Sequence, residues 1–206
     1  LRCRALCSPP PARAGVQELL PVVLPGLIAE PVAGGGGGGG GGPSVVSVTP
    51  EEAALVAVAR LRFPDSPPRV GPSPDVNRWK MAAVGYPLWL SAGGPGSVGP
   101  VSDSVGELSV ALEARVLKTV FGMGDGQTVS CVGLGTAWSR AVRPGEESAS
   151  CGYRYTRPSL PGGSYTVTAT THWEVLWTVN DASGVIVVPR SSTAELPVGE
   201  LQVLTR

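Results

Sequence analysis

Lysine and histidine are almost missing from this sequence of 206 residues. Lys80 and Lys118 are the only lysines, and His172 is the only histidine. Neither lysine follows a glycine, which excludes the phosphate-binding motif G-x-x-x-x-G-K-[ST], whose lysine neutralises the phosphates. With one histidine and no C-x-x-C pair, a zinc site would lack its usual ligands. The sequence therefore predicts no nucleotide partner, no metal and no other cofactor.

A charge imbalance and a long apolar run are missing as well. The 16 basic and 16 acidic residues give a net charge of zero, so no basic surface for nucleic acid is indicated. No apolar run approaches the roughly 20 residues that cross a bilayer as a helix. We expect neither a nucleic-acid partner nor a transmembrane segment.

Glycine and proline, by contrast, are abundant, with 29 and 21 residues, and they divide the chain into segments. The first segment has basic residues before an apolar stretch, the broad order of an export signal, but prolines interrupt it. It is predicted to be a degenerate signal or the product of a miscalled start, within a disordered extension. The predicted organisation is an N-terminal segment over 1–33, a glycine-rich tether over 34–48, a short helix over 49–62, a proline-rich spacer over 63–79 and the main domain over 80–206.

The helix is predicted from its first turn. Thr49 is placed as the N-cap, Pro50 stands at the first helical position and Glu52 can close a capping box. The face expected to pack is only weakly apolar, so weak docking or none is predicted; it consists of Leu55, Val58, Ala59 and Arg62.

From Val76 onward the periodicity changes to two. Within residues 164–179, one side of an extended chain carries Tyr165, Val167, Ala169, Thr171, Trp173, Val175 and Trp177. This alternation is typical of a strand with one buried face. Further strands are predicted over 83–90, 108–113, 115–121, 127–131, 185–188 and 200–205. About seven strands between Gly/Pro turns predict an all-β fold, an antiparallel β-sandwich of the immunoglobulin-like class.

The four cysteines stand as two pairs, Cys3 with Cys7 and Cys131 with Cys151. The second pair lies in the β-rich part and predicts a disulfide, with two free buried thiols as the alternative. Closing a loop of this length would stabilise the fold by roughly 3 kcal/mol on the chain-entropy description. Because disulfides persist in oxidising compartments, we expect an extracellular or cell-envelope location.

The stretch FGMGDGQTVSC, residues 121–131, allows three interpretations. A dinucleotide loop is disfavoured because G-x-G-x-x-G is not matched and no helix pattern follows. A calcium ion held by Asp125 is a second interpretation, although a hard cation usually recruits several oxygen ligands. The favoured interpretation is a hairpin turn through Gly124, Asp125 and Gly126, of type I′ with Asp125 and Gly126 at positive φ.

Tryptophan provides the remaining candidates for ligand contact. Aromatic faces stack on sugars, but sandwich cores use tryptophan too, and the sequence leaves both roles open. The candidates selected as binding aromatics are Trp89, Trp138, Trp173 and Trp177, with Trp79 as a fifth tryptophan.

No catalytic residue is predicted. His172 has no evident serine or cysteine partner, and the paired carboxylates of a glycosidase are not recognisable. An accessory or small hydrolase domain acting on envelope polymer is the rival hypothesis, and it would need a polar cluster around His172, Glu174 or Asp125. A calcium-stabilised adhesion module is a second rival.

Two segments resemble the polycystin-type (PKD) repeat, an immunoglobulin-like sandwich. The matching elements are Phe121 with Gly124-Asp125-Gly126, then Tyr153 and Tyr155, then Pro161-Gly162 with Tyr165 and Val167. The likeness covers about 55 residues and implies the PKD-like fold. It departs from the repeat in the spacing at Gly122-Met123 and in lacking a histidine near Tyr155.

The stretch from Val76 to the end also resembles a group of secreted or envelope-attached actinobacterial proteins, some of which carry the description ATP/GTP-binding protein. The matching elements include VGYPLWL and YTVTATTHWEVLW. The missing Walker A lysine gives nucleotide binding no physical support here. These expectations together describe a non-enzymatic extracytoplasmic module, structural or binding protein or cell-wall glycan.

Overall fold

A computed structural model describes residues 47–201 of the chain. Within this range lie one helix, α1, Pro50–Arg60, a short 3-10 turn, Pro74–Val76, and ten strands. The strands in chain order are β1 Pro68–Gly71, β2 Ala82–Ala83, β3 Leu88–Ala92, β4 Ser97–Val105, β5 Leu108–Gly122, β6 Thr128–Val132, β7 Gly152–Tyr153, β8 Tyr165–Val179, β9 Ala182–Leu196 and β10 Val198–Gly199. The structure is therefore mostly β-sheet, nearly all of it antiparallel, with one short helix.

The largest sheet has the strand order β4-β5-β8-β9, and β6 pairs with β5 beside β4. Strand β4 pairs with the first half of β5 and β6 with its second half, so the two share one side of this long strand. The two-residue turn at Asn180 and Asp181 joins β8 to β9, which pair over fifteen residues without a register shift. We call this the large sheet.

Strand β5 is continuous where the sequence predicts two strands, 108–113 and 115–121, and it carries a β-bulge within the second of them. Val116 pairs with Trp173 and Lys118 with His172, which leaves Leu117 as the extra residue. An inserted residue reverses which side chains face inward. The buried positions of β5 accordingly change from even numbers, such as Leu112, to odd numbers, such as Phe121.

The smaller sheet has the strand order β1-β3-β7, and β2 pairs with β10 in parallel. Strand β1 lies inside the segment 63–79, which the sequence predicts to be a spacer, so that prediction is wrong for these residues. Proline is tolerated at the first residue of an edge strand because its missing N–H is not needed there. Pro68 takes that position, and the register runs from Pro68 opposite Ala92 to Gly71 opposite Trp89.

One face of the large sheet is covered by two separate clusters. The smaller sheet covers the end that carries Phe121 and Val167, with Leu88 and Leu90 buried between the sheets. Helix α1 covers the other end, over Leu112, Trp173, Val175 and Trp177. The opposite face of the large sheet is the open face.

Helix α1 begins with the predicted capping box. The Thr49 hydroxyl accepts from the Glu52 backbone N–H at 3.2 Å, and a Glu52 carboxylate oxygen accepts from the Thr49 N–H at 2.9 Å. The predicted packing face is right for Val58, which is buried, and wrong for Leu55, which is 54% exposed, and for Ala59 and Arg62, which are exposed as well. The buried face consists of Ala53, Ala54, Ala57 and Val58. Small side chains let the helix approach the sheet closely, so it docks despite its weakly apolar pattern.

Other predicted segments fall partly or wholly outside the described residues. The N-terminal segment 1–33 lies outside them, as does the tether 34–48 except for its last two residues. Of the strand predicted over 200–205, only Glu200 and Leu201 are described, and neither is in a strand. Within 47–201, no helix is long and apolar enough to cross a membrane.

Candidate functional site

The loop at Gly124–Gly126 is a hairpin connection between β5 and β6. Gly124 and Gly126 have φ of 79° and 93°, whereas Asp125 does not have a positive φ. The type I′ prediction is therefore wrong, although the hairpin itself is present. The loop takes five residues rather than two, and the Met123 N–H donates to the Gln127 carbonyl at 2.9 Å across its base.

Asp125 fastens this loop to the smaller sheet. One of its carboxylate oxygens accepts from the Tyr153 hydroxyl at 2.6 Å, and the other accepts from the Gln127 N–H at 3.1 Å. Among residues 47–201, no three His, Cys, Asp or Glu side chains are grouped as metal ligands would be. Both carboxylate oxygens of Asp125 are therefore engaged in hydrogen bonds that connect the loop to the smaller sheet.

Three tyrosines, Tyr153, Tyr155 and Tyr165, pack against one another between this loop and the core. Tyr155 is fully buried, stacks on Tyr165 at 4.9 Å between ring centroids, and meets the edge of Tyr153 at the same separation. Its hydroxyl donates to the Met123 carbonyl at 2.8 Å. Burial raises the pKa of both Tyr153 and Tyr155, and the Asp125 carboxylate raises it further.

These raised pKa values predict a loss of stability in alkali. A tyrosine whose pKa is higher in the folded state contributes its full stability below the ordinary pKa of about 10, and loses it as the pH rises further. The urea midpoint is expected to fall as pH is raised above about 10. The Tyr153→Phe variant, which keeps only one of these two groups, should show a shallower fall. Identical slopes for variant and parent would contradict this explanation.

Cys131 and Cys151 are joined by a disulfide, with their Cα atoms 5.5 Å apart. Both residues are buried in the cluster between the sheets. The disulfide closes the segment between β6 and β7, which carries Trp138. Next to it, Gly135 has φ of 80°, and a Cβ there would lie 2.6 Å from the Leu90 carbonyl oxygen. This close approach holds the start of the segment against β3.

The structure separates the candidate tryptophans into two groups. Trp173 is fully buried and Trp177 is 6% exposed, both beneath α1, so neither can form an exposed binding face. The prediction of these two as binding aromatics is wrong, because α1 covers the face that their alternation shares. Trp89 is half-buried, and its indole N–H donates to the Glu146 carbonyl at 2.9 Å.

Trp138 and Trp79 are the tryptophans that line depressions in the surface. Trp138 lies over Gly71, where an added Cβ would come within 2.0 Å of the Trp138 Cβ. Trp79 is 51% exposed, and the Arg78 guanidinium lies 4.6 Å from its ring centroid. No charged residue other than Arg78 and Lys80 stands within two positions of Trp79.

A groove of about 620 Å³ runs beside β1. Its walls come from β1, the segment 73–80, Trp138 and the end of β9. The charged side chains that line it carry both signs, namely Arg69, Asp75, Lys80 and Glu195. Val70, Val167 and Leu196 add apolar surface. We call this depression the β1 groove.

A smaller depression of about 200 Å³ lies on the other side of the segment 73–80. Trp79, Met81, Tyr86 and Leu201 line it, and Val76 lines both depressions. The segment 73–80 therefore forms a ridge between them, with Trp79 on one side and Lys80 on the other.

Of the three residues named by the rival hydrolase hypothesis, two are neighbours on one face of β8 and the third lies in the β5–β6 loop. His172 and Glu174 lie on the open face of the large sheet, where Glu174 forms an ion pair with Arg115 at 2.6 Å. Asp125 lies in the β5–β6 loop and accepts from Tyr153. None of the three lines the β1 groove.

Sequence reasoning missed most residues of the β1 groove. Arg69 and Asp75 fall in the segment predicted as a spacer, and Glu195 lies beyond the strand predicted over 185–188. A signal for Trp79 was available, because it stands outside any alternating pattern and is flanked by Arg78 and Lys80. A tryptophan outside an alternating pattern is not needed to fill the core beneath a strand, so it is a candidate for ligand contact.

The chain matches no known protein family, no curated protein and no solved structure at a significant level. Functional inference therefore rests on the geometry of this chain alone.

Proposed function

We propose that this protein is a non-enzymatic, extracytoplasmic binding module whose two main sheets form an immunoglobulin-like, PKD-like β-sandwich. We further propose that it binds a cell-envelope glycan along the β1 groove and across the ridge 73–80 to the smaller depression, which Trp79 lines. The observation that carries the proposal is the groove itself, with Trp138 in its wall and the half-exposed Trp79 on the adjoining ridge. No other described tryptophan is as exposed as Trp79.

The chemistry of the groove suits a neutral polar chain. Ligand sites usually have volumes of about 300–1,000 Å³ and combine apolar surface with a few polar groups. The β1 groove has such a volume, and its two cations and two carboxylates balance. A strongly anionic polymer would meet Asp75 and Glu195, whereas sugar hydroxyls can bond to all four charged side chains. The indole rings supply faces on which pyranose rings can stack.

The disulfide supports the proposed extracytoplasmic location. Cys131 and Cys151 are within bonding distance, and such bonds persist in oxidising compartments rather than in a reducing cytosol. A groove on a module outside the cytoplasm would have envelope polymers and proteins as its accessible ligands. We favour glycan over protein because the groove is lined by both charge signs and by aromatic surface, without a large apolar patch.

Trp79→Ala is the variant that tests the proposal. Binding to immobilised peptidoglycan and arabinogalactan is expected for the parent chain, and the variant should bind about tenfold more weakly or worse, equivalent to about 1.4 kcal/mol. Stability should hardly change because the side chain is 51% exposed. Bound fraction against polymer concentration is the measurement.

Leu176→Ala serves as the matched control. Leu176 is 40% exposed, lies on the open face and does not line the groove. Its loss should leave binding unchanged. Equal binding by parent and Trp79→Ala, or no binding of the parent to either polymer, would overturn the glycan assignment.

A further inference from the structure

The free side of β9 is an unprotected sheet edge over residues 182–188. Strand β9 ends the strand order of the large sheet and runs for fifteen residues without a bulge. Proteins usually protect such edges with charges, prolines, bulges or short strands, because unpaired backbone groups recruit other strands. At the opposite side of the sheet, β4 carries a register shift between Val98 and Val101. In β9, the residues from Ala182 to Val188 carry no charge and no proline.

Proline fixes which backbone groups of β9 point outward. In an antiparallel pair, residues alternate between those that exchange both hydrogen bonds with the neighbour and those whose N–H and C=O point away. Pro189 pairs with His172 within an unbroken register. Because proline has no N–H, Pro189 must be one of the residues whose backbone groups point away from β8. The odd-numbered residues Ser183, Val185 and Val187 therefore direct their N–H and C=O groups to the free side.

The side chains next to this edge are exposed and apolar. Val185 and Val187 are 54% and 52% exposed on the open face, and Leu176, opposite Val185, is 40% exposed. No described residue pairs with the free side of β9. The backbone groups and the side chains of the same short stretch thus lack partners within residues 47–201.

We propose that this edge pairs with the same edge of a second copy of the chain, forming an antiparallel dimer with its two-fold axis at Val185. In this register Val185 lies opposite Val185 of the second copy, and Ser183 lies opposite Val187 at both ends. All six outward N–H groups of the two copies find a carbonyl, and Pro189 falls just beyond the paired residues.

The stretch is self-complementary in its backbone groups and compatible in charge, which favours a second copy as the occupant. The same register places Asp181 of one copy opposite Pro189 of the other, next to Arg190, whose guanidinium lies 4.7 Å from the Phe63 ring of its own copy. Because the arrangement is two-fold symmetric, no like charges face each other at either end of an otherwise uncharged interface. An isologous contact of this kind closes on itself, so it ends at a dimer rather than a fibre. The proposal does not depend on ligand binding at the β1 groove.

Val185→Pro tests the pairing directly in the full chain. The substitution removes an outward N–H from each copy and no hydrogen bond to β8. Sedimentation velocity over a concentration series is expected to show a monomer–dimer equilibrium for the parent chain, with a dissociation constant at least about tenfold higher for Val185→Pro. Thr193→Pro is the matched control, because its N–H also points to the free side but lies outside the proposed register. A parent chain that stays monomeric, or equal effects of the two prolines, would overturn the proposal.

Two further pairs of variants keep the test decisive if Val185→Pro does not fold. Val185→Glu places two carboxylates opposite each other at the axis and should abolish the dimer, whereas Val132→Glu, at a position that is 89% exposed on β6, should not. For the register, Val185→Cys should crosslink to itself under oxidation far more readily than Val187→Cys, with the linked peptides identified by mass. A preference for the thiol at 187 would overturn the Val185-centred register.

Discussion

The Trp173→Ala variant is expected to lose about 3–5 kcal/mol of unfolding free energy, the usual cost of removing a large aromatic side chain from a core. Trp173 is fully buried between the large sheet and α1. Its ring lies 5.3 Å from that of Phe63, and its indole N–H donates to the Thr171 hydroxyl at 3.1 Å. Alanine would leave a cavity and remove the bond that the Thr171 hydroxyl accepts, although this hydroxyl still donates to the Arg190 carbonyl at 3.2 Å. The effect should therefore fall at the upper end of single substitutions.

Urea unfolding of Trp173→Ala beside Trp79→Ala separates core packing from ligand contact. The first should shift the midpoint strongly, and the second should leave it within about 0.5 kcal/mol of the parent. Helix α1 should detach first in Trp173→Ala, seen as faster amide exchange at Ala54 and Ala57, which are buried in the same cluster. A small stability loss for Trp173→Ala together with lost glycan binding would restore Trp173 as a binding residue.

The contrast between these tryptophans shows how far the sequence predicts the fold. Alternation in β8 predicted that Trp173 and Trp177 share a face, and the structure has them on one face. Alternation could not reveal what covers that face, because the cover is α1, whose alanines give only a weak apolar pattern. The capping box predicted where α1 begins, since that signal depends only on neighbours in the chain.

Non-local contacts account for the missed elements. The bulge at Leu117 is visible only from the pairing of β5 with β8, and the sequence does not predict it. Strand β1 has four residues beginning at a proline, and it exists because β3 offers a pairing edge. The β1 groove collects residues from five separate parts of the chain, and no local pattern brings Arg69 and Glu195 together.

Removing the disulfide is the second large effect expected. In a Cys131→Ala/Cys151→Ala double variant, the unfolded chain regains the freedom of a loop whose ends are 20 residues apart. The chain-entropy description gives a loss of about 3 kcal/mol for such a loop. Because both sulfurs are buried, some packing is lost as well. Thermal unfolding of the double variant against the oxidised parent measures the difference.

Cys3 and Cys7 remain in the double variant, so any effect of their own chemistry is shared with the parent. A Cys3→Ala/Cys7→Ala variant is the matched control and should unfold like the parent within residues 47–201. Mass analysis of unreduced peptides should show the Cys131–Cys151 linkage in both the parent and this control. Free thiols at 131 and 151 in the unreduced native protein would contradict the disulfide and remove the support that it gives to an extracytoplasmic location.

The disulfide should also matter for the β1 groove, because it holds the segment on which Trp138 is carried. That segment is attached at Cys131 and Cys151, at the Gly135 approach to β3, and through the hydrogen bond from Trp89 to Glu146. Without the covalent closure, the segment between β6 and β7 should open locally more often than the sheets unfold. Glycan affinity measured well below the unfolding transition should therefore fall in the double variant, while its far-UV circular dichroism stays that of the parent. Unchanged affinity would show that Trp138 is held by Gly71 and its neighbours alone, and that binding depends on the ridge at Trp79.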